Sequence, residues 1–241
     1  MILRRITQHV KDQNWFAVGL DFFIVVVGVF IGLQVSNWND TRAEQVDSAL
    51  VLERLDEDFQ QVLARTDRSI ERHANYVSAV ARVINGARSG RFDEETLSVD
   101  ILSIGAFAPP SAPSSTYSEL VAAGRLKLVR NGELRQALEA YDDYVTLIRD
   151  SYGLFAERLT RASDEVSRAT TIEVSGIPAP DIAALTAPME DIDRDLLAHD
   201  PEIIAALQIS YTVQSNIHAI LSENRVRILE IMEMIEAEKA K

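Results

Sequence analysis

The chain has 241 residues and no cysteine, and 37 acidic residues against 24 lysines and arginines leave a formal charge of −13. That balance argues against nucleic acid and against a polybasic lipid-binding surface. The missing thiol excludes disulfides and cysteine nucleophiles; it agrees with an oxidising compartment without demanding one.

Residues 1–15 carry Arg4, Arg5 and Lys11 beside Ile2, Leu3, Ile6 and Val10, which share one helical face. This pattern predicts a cytoplasmic amphipathic segment lying on the headgroups. Next comes FAVGLDFFIVVVGVFIGLQVSN, held between the only two tryptophans, Trp15 and Trp38. About 20 helical residues at 1.5 Å each cross a hydrocarbon core of about 30 Å, and tryptophan favours both edges of that core. The unbroken apolar run, Phe22 to Leu33, is too short alone. The predicted transmembrane helix therefore takes 16–36, with Asp21 and Gln34 inside its boundaries. VSNWND offers no small-x-small cleavage site, so an uncleaved anchor is expected rather than a secretory signal.

Bases precede the span, whereas Asp40, Glu44 and Asp47 with only Arg42 follow it. The basic flank stays in the cytoplasm, which predicts an extracytoplasmic domain over 39–241. In a Gram-negative cell this is the periplasmic side of the inner membrane. Within the span, Gly28 and Gly32 form GxxxG, a spacing that lets two helix backbones approach closely. Asp21 precedes them by seven and eleven residues, offsets that return to within about 20° of one direction. A polar group facing lipid usually finds a protein partner. Asp21, Gly28 and Gly32 are thus expected to form a contact face for a second membrane helix, from another copy or a different protein. The competing reading is that Asp21 snorkels and the glycines fall there by chance.

Three long segments of the outer domain carry helical periodicity, and no strand pattern competes. The first runs from about Asn39 to Ile84, with Leu52, Leu55, Phe59 and Val62 at spacings of three and four, ended by Gly86 and Gly90, and continues the membrane helix almost without a break. A weak helix near Asp93 to Ile104, the loop APPSAPSS, and a short helix Thr116 to Ala123 closed by Gly124 follow. The second long helix runs from Gly132 to about Val166, with a seam suited to near-parallel packing. A Pro- and Ala-rich connection, Thr170 to Asp200, is expected to hold a helical turn at Ala183 or Met189. The third helix starts with Asp200 as cap and Pro201 in the first turn. The expected fold class is all-α: a transmembrane helix, then an elongated up-down-up bundle of three long helices plus short ones.

Catalytic motifs are missing: no GxSxG, no Gly-rich phosphate loop with Lys, no HExxH. None of the four histidines has Glu three residues ahead, so the di-iron bundle signature is absent. His73 and His218 lie on apolar faces of two long helices and read as hydrogen-bonded core histidines. Ser210, Gln214 and Asn224 interrupt the third seam, where polar residues fix register or line a small pocket. Asp191, Asp193, Asp195 and Glu202 match positions one, three, five and twelve of a calcium loop, but Leu196 occupies the glycine position. They read as a solvated acidic connection. Asp56, Glu57 and Asp58 point in different directions from mid-helix and read as a solvated face. Tyr117, Glu119, Arg125 and Arg130 form the densest polar group, either a binding cluster or capping and ion pairing around Gly124. No cofactor or metal is expected.

QNWFAVGLDFFIVVVGVFIGLQVSNWND and STYSELVAAGRLKLVRNGELRQALEAYDDY carry a further signal. An acid enters the span, GVFIxLQVxNWN leaves it, and a Tyr-x-x-Leu, small-Gly, Leu-x-Leu, Leu-Arg run sits mid-chain. The matching positions are Asp21, Gly28 to Asn39, Tyr117, Leu120, Gly124, Leu126, Leu128, Leu134 and Arg135. This pattern resembles a bacterial family of single-pass membrane proteins known as a domain of unknown function. The resemblance covers about the first sixty residues and 114 to 150. It implies an inner-membrane anchor and a helical outer domain, and no activity. The functional expectation is a non-enzymatic accessory or scaffolding subunit, or a homo-oligomer, whose partners are membrane lipid and another membrane helix. The alternative is a ligand-sensing bundle; because the terminal EIMEMIEAEKAK is polar, it would signal through a membrane partner.

Overall fold

The structure, a computed structural model, describes residues 15–108, 113–172 and 189–240. Contacts divide the chain into two units, Met1–Leu50 and Val51–Lys241. Helix α1 (Trp15–Ser89) joins the predicted membrane span and the first long helix into one element. Just beyond its end, Gly90 adopts a positive φ of 65° and the Arg91 amide donates to the Gly86 carbonyl at 3.2 Å. Glycine suits this left-handed position because it has no Cβ to clash there.

Among its described residues the second unit is all-α apart from one short ladder. After α1 come α2 (Leu97–Leu102), α3 (Ser115–Ala122), a 3₁₀ turn at Leu126–Leu128 and α4 (Gly132–Ser167). Strands β1 (Thr170–Ile172) and β2 (Met189–Ile192) precede α5 (Arg194–His199) and α6 (Pro201–Lys239). The Asp200 cap of α6 is the one the sequence predicts, and Asn131 caps α4 in the same way. Asn131 Oδ1 accepts from the Glu133 and Leu134 amides, and Asp200 Oδ1 from those of Glu202 and Ile203. Each pair satisfies two orphan donors of a first turn.

Three apolar clusters run along the bundle. The first joins Leu55 and Phe59 of α1 with Leu134 and Tyr141 of α4 and Ile231 and Ile235 of α6. The second packs Ile70 near Ile148, Tyr152, Leu159, Ile217 and Leu221. The third joins Val80 and Val83 with Ala162, Val166, Ile203 and Leu207. Numbers rise together in α1 and α4 and fall in α6. The three helices therefore run up-up-down, which corrects the up-down-up order expected from sequence.

The chain between α2 and α3 makes this possible. Ser210 Oγ donates to the Ile104 carbonyl (2.7 Å), Gln214 Nε2 to that of Ala106 (2.6 Å) and Tyr152 Oη to that of Ala108 (2.6 Å). At the other end Ser114 Oγ donates to Asp58 (2.7 Å). Ten residues can reach about 33 Å when extended, the rise of about 22 helical residues. The chain thus returns to the starting end of the bundle before α4 begins. Gly105 permits this path: a Cβ there would meet the Ser163 side chain of α4 at 2.6 Å.

Two further expectations change. Met189 lies in a strand, not a helical turn, because β2 pairs antiparallel with β1, Thr170 opposite Ile192. Ala183 lies outside the described residues. The carboxylates of Asp56 and Asp58 are not simply solvated. Asp58 Oδ2 accepts from Ser114 and Ser115 hydroxyls and the Thr116 amide, and Asp56 pairs with Lys239 at 3.0 Å.

Candidate functional site

The first candidate surface belongs to the first unit. From Phe22 to Val35 the large apolar side chains of α1 are exposed, Phe22 at 71%, apart from the half-buried Val27. Among the described residues this helix alone is long and apolar enough to cross a membrane. Gly28 and Gly32 have open space where a Cβ would stand. Three residues beyond Val35, the Trp38 ring centre lies 5.9 Å from the Arg42 guanidinium, a cation–π distance. The side chains of Trp15 and Asp21 lie outside the described residues, as do residues 1–14.

The mid-chain polar group does not converge. Tyr117 points into the first cluster and is buried. Glu119 is exposed and pairs with Arg54 of α1, whose guanidinium holds its carboxyl below the usual range. Gly124 takes a positive φ of 64° at the end of α3, where the Arg125 amide donates to the Leu120 carbonyl. Arg130 is exposed, and its carbonyl accepts from Arg135 at 3.0 Å. The arrangement is capping and ion pairing. The parts that Arg54 and Asp58 play in holding α3 from more than fifty residues away were not legible in sequence, because such pairing has no local spacing signature.

His73 is fully buried. Gln214 directs its Nε2 to the Ala106 carbonyl, so its Oε1 faces His73 Nδ1 at 2.7 Å and accepts its proton. The neutral ring therefore carries its proton on Nδ1, leaving Nε2 as a lone pair without a hydrogen bond. Burial pushes His73 below the ordinary imidazole value, outweighing Gln214 and the Ala108 backbone, which act the other way; a charge on nearby His218 also disfavours protonation. Ser210 joins the same backbone ladder, and Asn224 is buried beside Tyr141. Ser210 and Gln214 hold the returning chain against α6.

The acidic connection is engaged piecewise. Asp193 caps α5, Asp195 pairs with His199 at 3.0 Å, and Glu202 pairs with Arg168 at 2.8 Å. Among the described residues no three acids or histidines are grouped to hold a metal. An open groove of about 530 Å³ between α4 and α6 is lined by Arg158, Arg161, Glu165 and Glu202 over Ala205 and Ile209. Its two arginines and two glutamates balance.

Fold and geometry define an all-α protein with one helix able to cross a membrane. No protein-family model, curated protein or solved structure matches this chain.

Proposed function

We propose that this chain is a non-enzymatic, single-pass protein of the bacterial inner membrane, with its N-terminus in the cytoplasm and its helical domain in the periplasm. It serves as an accessory or scaffolding subunit of an envelope complex, or as a homo-oligomer, through lipid and a second membrane helix. We place it with the single-pass family that its two motif segments resemble.

The observation that carries the anchor is the apolar exposure of α1 from Phe22 to Val35. In water each exposed square ångström of such surface costs about 25 cal/mol, whereas hydrocarbon removes that cost. Two features support a structural role for the domain: buried Ser210 and Gln214 hold backbone, and Glu119 of the mid-chain cluster ties α3 to α1 through Arg54.

Washing membranes with alkaline carbonate and fusing reporters to the C-terminus test the reading. The chain should stay in the pellet, with alkaline phosphatase active and a green fluorescent fusion dark. Release into the supernatant, or the opposite reporter pattern, overturns it.

A further inference from the structure

Val46 and Leu50 sit 55% and 52% exposed on α1. Val46 lies eleven residues beyond Val35, about 16 Å along the helix, so a hydrocarbon core ending near Val35 leaves it uncovered. Counting back by alternating threes and fours from Leu50 gives Val46, Ala43, Asn39, Ser36 and Gly32. At roughly 100° per residue these six occupy about 80° of arc. All six are exposed. Continuing by sevens from Val46 and Leu50, the sequence reaches Glu53 and Glu57, where the stripe ends.

The spacing is that of a left-handed seam between near-parallel helices. It holds small residues where the membrane ends and larger apolar ones farther out. Arg42 and Asp47 flank it on opposite edges, five residues apart. In a parallel pair that offset brings the flanking residue of one helix to the opposite flank of the next. A second copy of this chain would therefore set Arg42 against Asp47 on both sides of the seam. Copies inserted with the same orientation can only pair in parallel.

We infer that residues 32–50 of α1 form a parallel homodimer seam that carries the membrane contact outward into the aqueous phase. The inference rests on the proposed anchor, and names its partner helix as a second copy of the same chain. Asn39 is the one amide side chain in the seam, and a single such residue holds two strands in register.

The chain has no cysteine, so single cysteines report the seam in membranes containing the full protein. Under copper–phenanthroline oxidation, Val46→Cys and Leu50→Cys should give several-fold more disulfide-linked dimer than Thr41→Cys and Gln45→Cys, which lie off the stripe. Arg42→Asp should reduce the Leu50→Cys dimer, and adding Asp47→Arg should restore it. Equal yields on and off the stripe, or no dimer, overturn the seam. Cross-linking to a different polypeptide overturns the second copy as occupant. All these failures leave the anchor standing; carbonate release of the chain would instead sink the anchor itself.

Discussion

At the scale of single residues, His73 shows how a buried base is kept neutral. Gln214 is oriented by the Ala106 carbonyl and offers His73 an acceptor. Burial lowers the folded-state affinity for a proton below that of the unfolded chain. Between the two values the unfolded state binds more protons, so stability rises with pH. The contribution is complete above the unfolded value of about 6.5 and is lost as pH falls below it. Melting temperatures of the full chain in detergent should therefore drop from pH 7.5 to pH 5.5, and His73→Gln should flatten part of that slope. The polar identity of Gln214 and Ser210 was legible in sequence as interruptions of a seam. Their partners were not, because a backbone carbonyl more than a hundred residues away leaves no pattern.

Among the elements, the decisive one is the connection between α2 and α3. A loop rich in proline and serine reads as punctuation. In the bundle the chain is held on either side of it, Ile104, Ala106 and Ala108 by Ser210, Gln214 and Tyr152, and Ser114 by Asp58. At Gly105 the chain passes so near Ser163 of α4 that no Cβ would fit. Gly105→Ala should destabilise the domain by about 1 to 3 kcal/mol, the usual range for overpacking. Combining it with Ser163→Gly should recover part of that loss, and urea unfolding of the four variants measures the coupling. The long helices themselves were predictable from apolar spacing and caps, since those signals are local. The β1–β2 ladder was not, because three- and four-residue strands carry too little alternation to stand out.

For the bundle as a whole, helix order decides which ends meet. In the up-up-down arrangement the start of the bundle in α1 meets the end of α6, and Asp56 lies 3.0 Å from Lys239. Treatment with a zero-length carbodiimide should join Asp56 to Lys239 in the native protein. An up-down-up order would part them by about 50 Å, the length of a helix like α4, and that cross-link would be lost. The sequence by itself determined the helical class, the limits of α4 and α6 and the apolar span, because periodicity, capping and hydropathy act within a few turns. Only the tertiary structure decided the directions of α4 and α6, the tasks of Asp56 and Asp58, and the separate engagements of Tyr117 in the core and Glu119 with Arg54. Each depends on contacts between distant parts of the chain, and no local spacing encodes which distant groups will meet.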